Sequence, residues 1–298
     1  MKSVLFYSFK GGVGRTQTML NMARYLSKEQ NKKILLVDFD IYAPGLSYLA
    51  DFIPNSENEK NYYMLDFLLE SFNGKKVKLY TEKFDENLYL TPAYNINIIQ
   101  NSHHNLSILS QYLYALKSGA EDRQNNVSTI ADTTFKYIIE SIKKENNFDY
   151  VFFDARTGVT EVSDILFSNF LDLKVIISSF NEQNIKGTNS ILNLLSEQKG
   201  EKHTILRVLS PEPIDYKREL FKKVEQEADL KDDYKNSVLR DKFDWIGTYK
   251  ISYEKEIVLN DFSAWEKVSS KYKNEIITIS NLLNDKLVVN NRIEEILT

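Results

Sequence analysis

Residues 9–16, FKGGVGRT, combine glycines, two cations and a hydroxyl within eight positions. Gly11, Gly12 and Gly14 free the backbone to turn its N–H groups inward, where together they can surround an anion. Lys10 and Arg15 supply side-chain positive charge, and Thr16 supplies a hydroxyl suited to a divalent metal. The chemistry this composition serves is phosphate binding. The stretch departs from the pattern G-x-x-x-x-G-K-[ST] at two places. Phe9 stands in place of the first glycine, and Arg15 in place of the lysine. Arginine keeps the charge and offers a planar fork to phosphate, but it is bulkier and differently directed. The expectation is that binding survives the exchange better than hydrolysis. A tight strand-to-helix turn with no ligand is the plain alternative for the loop taken by itself.

Three carboxylates weigh against that alternative. LLVDFDIYAPG places Asp38 and Asp40 at the end of one apolar run, and DYVFFD places Asp154 at the end of another. In a parallel sheet the carboxyl ends of the strands share one edge, where ligands bind. Asp38, Asp40 and Asp154 should therefore converge near Thr16, as partners for a phosphate-bound Mg²⁺. Any one of them alone reads equally well as a turn former.

The elements that must hold these residues are visible as hydrophobic patterning. Apolar runs of strand length occupy residues 4–7, 34–37, 88–91, 150–153, 174–178, 204–209 and 245–249. Most are continuous rather than alternating, as in strands buried on both faces. Helical spacing lies between them. It covers residues 18–28 with Met19, Met22, Ala23 and Leu26 on one face, and residues 133–143 with Phe135, Ile138, Ile139 and Ile142. A short candidate covers 190–195, and another covers 272–283 with Ile276, Ile277, Ile279 and Leu283. Alternation of this kind predicts an α/β fold: a doubly wound, mostly parallel sheet flanked by helices. A single domain over residues 1–298 is expected, with an irregular insertion at about 47–147 that holds the loops SENEKN, SFNGKK and SGAEDRQNN.

Composition narrows the chemistry further. The chain has no cysteine, which excludes disulfides, iron–sulfur clusters and zinc–thiolate sites. Its formal net charge of -4 does not favour a polyanion partner, although one basic face remains allowed. No run approaches the length of a membrane span, and the first residues are too short an apolar stretch for a signal peptide. The reading is a cytoplasmic protein with no membrane anchor.

Taken together, KGGVGRT at residues 10–16, VDFD with the following Pro-Gly up to Gly45, and DYVFFD at 149–154 resemble the deviant-Walker ATPases of the ParA/MinD group. The late strand IGTYKISY at 246–253 is similar to that group's C-terminal strand and base-side loop. The variant with KGGVGR and D-x-R-T-G together is the form this chain looks like. The resemblance implies a P-loop NTPase fold, ATP/ADP and Mg²⁺ as cofactors, and a homodimer that forms around the nucleotide. It implies that Lys10 is a signature lysine reaching the partner's phosphates, acting with Arg15 and Asp40 in catalysis. It implies that Gly11, Gly12, Val13, Gly14, Arg15, Thr16, Gln17, Gly158 and Pro211 contact the nucleotide, and that Thr16, Asp40 and Asp154 serve the metal. Gly158 would begin the segment that senses the γ-phosphate, and Asp38 would support the site. Ser210 and Tyr253 are further candidates for the base. Ala155-Arg156-Thr157 follows Asp154 where the group often has a proline, and Arg156 reads as a phosphate or subunit contact or as a surface ion pair.

The functional expectation is a slow ATP-hydrolysing switch that controls a partner protein or DNA. The alternative is a weakly hydrolysing assembly or signalling subunit of a multi-gene bacterial system such as phage defence. A small-molecule ligase or kinase is a third possibility, for which no acceptor pocket is readable. The His103-His104 pair, the mixed-charge stretch 216–235 and the tail 291–298 read as solvated surface.

Overall fold

The structure is a computed structural model, and it describes residues 1–50, 62–118, 123–145, 147–160, 165–198, 202–212, 243–259 and 264–285. An eight-stranded sheet runs in the order β3-β4-β2-β5-β1-β6-β7-β8. Its strands are β1 (Lys2–Ser8), β2 (Ile34–Phe39), β3 (Glu82–Asp85), β4 (Leu88–Thr91), β5 (Tyr150–Ala155), β6 (Leu173–Ser178), β7 (His203–Glu212) and β8 (Phe243–Ser252). Every neighbouring pair is parallel except β3 with β4. The helices are α1 (Arg15–Lys28), α2 (Met64–Phe72), α3 (Ile99–Ser118), α4 (Arg123–Glu145), α5 (Glu182–Glu197), α6 (Lys255–Leu259) and α7 (Ser270–Asp285).

The continuous apolar runs are what a doubly covered sheet requires. Within β1, Val4 and Phe6 face one side and pack with Met19, Met22, Ala23 and Leu26 of α1 and Tyr272, Ile276 and Ile279 of α7. Leu5 and Tyr7 face the other side and join Phe67 of α2, Leu109 of α3, Phe135 and Ile138 of α4, and Ile191 of α5. The chain leaves β1 for one face through α1 and leaves β6 for the other through α5. The two connections diverge beside the central strands, which opens a crevice at the carboxyl edge of the sheet.

The fold class is as the sequence predicts, but several elements extend beyond the readable patterns. The candidate at 190–195 is the second half of α5, whose N-cap is Asn181 with its side chain accepting from the Asn184 N–H. The stretch at 47–147 contains α2, β3, β4, α3 and α4. Of the loops expected there, SENEKN lies outside the described residues. SFNGKK contains the end of α2, and SGAEDRQNN includes the first residues of α4.

Candidate functional site

The glycine-rich stretch joins β1 to α1 at the carboxyl edge. Gly12 and Gly14 have φ of +75° and +76°, a left-handed backbone that glycine adopts without strain. Gly14 is also the N-cap of α1, with no side-chain cap, so the first turn of the helix points unsatisfied N–H groups towards the loop. A Cβ added at Gly11 or Gly12 would meet nothing within 4 Å, so the loop faces open space on that side. Gly11 and Gly12 are exposed, Lys10 and Gln17 half-buried. Val13 is the exception: its side chain is 2 % exposed and packed in the α1-side core, which leaves only its backbone to serve a ligand. Gln17 gives its carbonyl to the Asn21 side-chain amide at 2.9 Å.

Register carries the carboxylates to the loop. Asp154 of β5 lies beside Phe6 of β1 on one side and Asp38 of β2 on the other. The Thr16 hydroxyl donates to Asp154 Oδ2 at 2.7 Å. Arg15 Nε donates to Asp154 Oδ1 at 2.6 Å, and Arg15 Nη2 donates to Asp40 Oδ2 at 3.3 Å. Of the three aspartates expected to converge near Thr16, Asp154 bonds it directly, Asp40 is joined to Asp154 through Arg15, and Asp38 is turned to other partners. Burial by itself would lower the pKa of Arg15, but the charges of Asp154 and Asp40 outweigh it and raise it. For Asp40 the balance goes the other way: burial, with Asp154 nearby, exceeds the pull of Arg15, and its pKa is raised. Arg15 Nη1 is buried and has no hydrogen-bond partner among the described residues.

Asp38 does not face the ligand space. It is fully buried, and burial together with the charge of Asp154 pushes its carboxyl up to about 8. It accepts from the Ser47 N–H and the Ser47 hydroxyl, both at 2.8 Å, and from the Asp40 N–H at 3.2 Å. Ser47 in turn accepts from the Ala93 N–H at 2.8 Å. Asp38 therefore pins both ends of the segment 40–47 that presents Asp40. Ser47 is the site residue that sequence reasoning missed; a serine two positions after the Pro-Gly turn carries no distinguishing signal.

Four further placements matter. Gly158 has φ +77°, four residues past Asp154, and a Cβ added there would meet nothing within 4 Å among the described residues. Ser210 Oγ would lie 3.4 Å from a Cβ on Gly14, so the end of β7, with Pro211, approaches the loop. Arg156 stacks its guanidinium 4.2 Å from the centre of the Tyr42 ring. That contact is a cation–π interaction. Tyr253 lies just past β8 and is 38 % exposed.

The arrangement can do two things. The inward N–H groups and the start of α1 suit an anion. The hydroxyl and carboxylates form an all-oxygen donor set suited to a hard divalent cation. The profile of the AAA domain family matches residues 1–208, which contain the loop and all three aspartates. The chain belongs to this family. It is 23% identical over 198 residues to the septum site-determining protein MinD of Bacillus subtilis, covering 66% of this chain and 60% of that protein. Among solved structures, a plasmid partition protein of Borrelia burgdorferi bound to AMPPNP superposes with a TM-score of 0.60. It is 17% identical, with 96% of this chain and 98% of that one covered. The MinD of Pyrococcus horikoshii complexed with Mg-ADP gives a TM-score of 0.55 at 15% identity, covering 96% and 97%. Within its family the chain is therefore of the ParA/MinD type, with that group's P-loop NTPase fold.

Proposed function

We propose that this ParA/MinD-type chain binds ATP with Mg²⁺ at residues 10–17, forms a dimer around the nucleotide, and hydrolyses it slowly to control a partner. The observation that carries the reading is the meeting of Thr16, Asp154 and Asp40 at the mouth of the glycine loop. The relatives whose structures hold AMPPNP and Mg-ADP support the same ligand class.

The residues present fit the ligand. The backbone of Gly11, Gly12, Val13, Gly14, Arg15, Thr16 and Gln17 would hold the phosphates, with Gly158 near the terminal one and Pro211 on the base side. Thr16 and Asp154 would hold the metal, and Asp40 would orient water or the metal. Bound Mg²⁺ would neutralise charge on the phosphates during transfer. Arg15 must exchange partners for this to occur, because it holds one oxygen of each carboxylate. Its unpartnered Nη1 is the donor free to meet a phosphate first. Asp38, beneath the site, keeps Asp40 in place through Ser47 and the Asp40 N–H. Lys10, half-exposed at the front of the loop, would reach the phosphates of a second copy.

The test is ATP turnover by the purified chain with Mg²⁺, alongside its mass in solution with ADP and with ATP. The reading expects slow turnover and a dimer with ATP that Lys10→Ala abolishes. Tight binding without turnover would instead assign the chain to the nucleotide-clamp alternative. A monomer under all conditions would remove the dimer from the account.

A further inference from the structure

Asp40 and Asp154 are joined twice. Arg15 joins their carboxylates directly. Two residues beyond each aspartate, the chain joins the same two loops again: Tyr42 follows Asp40, Arg156 follows Asp154, and the guanidinium of Arg156 lies 4.2 Å from the centre of the Tyr42 ring. The first bridge uses the groups a metal would take. The second uses none of them, so it does not depend on where Arg15 points.

Tyr42 also reaches outward. Its hydroxyl is 2.6 Å from Ser110 Oγ on α3. Helix α3 packs on α2, with Asn105 donating to Asp66 at 3.0 Å and the Tyr112 hydroxyl donating to Asn73 at 2.8 Å. Leu106, Leu109 and Leu113 bury its inner face, while Gln111, Tyr112 and Tyr114 are exposed. The Tyr42–Ser110 hydrogen bond therefore links the loop of Asp40 to a helix with an exposed face.

We propose that Arg156 and Tyr42 are a positioning pair that holds the Asp40 loop against the Asp154 loop, and that the Tyr42 hydroxyl makes α3 the helix that registers the state of the site. The inference about α3 rests on the nucleotide reading given above; the pairing itself does not. A change in the spacing of the two loops must either break the stacked contact or carry Tyr42 with it. If Tyr42 moves, Ser110 follows or loses its bond. Coupling of this kind is a free energy shared between the site and the helix, so it works in both directions.

The test is hydrogen exchange on the full chain, read over residues 40–50 and 99–118, first without ligand. Arg156→Ala should raise exchange in both segments by about threefold to thirtyfold, in line with the loss of one partly desolvated cation–π contact. Arg156→Lys should restore most of the protection. Tyr42→Phe, which keeps the ring and removes the bond to Ser110, should raise exchange in 99–118 and leave 40–50 near the parent. In the Tyr42→Phe background, Arg156→Ala should add nothing further at 99–118. The pair is overturned if Arg156→Ala leaves 99–118 unchanged, or if the two effects at 99–118 simply add. The same samples are then measured with Mg²⁺ and AMPPNP, with affinity determined in parallel. Binding that alters exchange at 99–118 in the parent but not in Tyr42→Phe is the expected result. Binding with no change at 99–118 in the parent overturns α3 as the sensing helix. Absence of binding refutes the nucleotide reading, and with it the sensing role of α3, and leaves the ligand-free cycle to decide the pair.

Discussion

Replacing Gly187 with alanine should destabilise the chain, although helix propensity says the reverse. Gly187 lies inside α5, where alanine ordinarily gains about 1 kcal/mol over glycine. The added Cβ, however, would sit 2.0, 2.3 and 2.5 Å from Cδ1, Cε1 and Cγ of Phe9. One of these atoms is at the root of a rigid ring, so no rotation of a flexible tip relieves the overlap. Reaching ordinary contact requires a retreat of about 1.4 Å or more by the ring or the helix. Overpacking of this kind costs about 1–3 kcal/mol, enough to cancel the propensity gain and reverse its sign. Phe9 immediately precedes Lys10, so its displacement reaches the phosphate-binding loop. A shift of about 1 Å there should weaken Mg²⁺–nucleotide binding or turnover by about tenfold to a hundredfold. Urea unfolding measures the first effect and calorimetric titration with AMPPNP the second. Phe9→Leu, introduced into the Gly187→Ala protein, should recover part of both. A Gly187→Ala protein more stable than its parent, with unchanged nucleotide affinity, would refute the reasoning.

Other substitutions separate the roles of the charged groups. Arg15→Lys loses the fork that spans Asp40 and Asp154, and should lower ligand-free stability by about 1–3 kcal/mol in urea unfolding without Mg²⁺. Asp40→Ala should trap the ATP-bound state, with turnover falling on the order of a hundredfold while nucleotide affinity is kept; unchanged turnover would remove Asp40 from the chemistry. Tyr150 gives a pH dependence, because burial, aided by Asp149, raises its phenol to about 12. A raised pKa contributes stability that is fully present below the unfolded value near 10 and is lost as pH rises through 12. Tyr150→Phe should therefore flatten part of the fall in melting temperature between those two pH values.

The phosphate loop and the strand-ending aspartates are legible in the sequence because both depend on local order. Glycines fix the turn, buried runs fix the strands, and parallel register then brings Asp154 beside Asp38. The α3 and α2 helices are harder to read. In α3 the buried Leu106, Leu109 and Leu113 follow helical spacing, but the first half of the helix is polar and dilutes the pattern. In α2, MLDFLLESF is apolar over most of its length, so strand and helix periods fit it equally well. The edge strand β3 is EKFD, too short and too polar to signal a strand at all. Pairings between distant residues are not legible either. Nothing in the local sequence points Arg156 at Tyr42 rather than at an acidic neighbour, and nothing shows Arg15 resting on two carboxylates rather than on phosphate. Those contacts depend on how the loops stand above the sheet, which local patterning does not encode.

The most direct test of the account is calorimetric titration of the purified chain with AMPPNP, in Mg²⁺ and again in excess chelator, for the parent and for Thr16→Ala. The account predicts binding that requires Mg²⁺ and is lost or strongly weakened by Thr16→Ala. Binding of equal strength in chelator and in Thr16→Ala, or no binding by the parent, would contradict it.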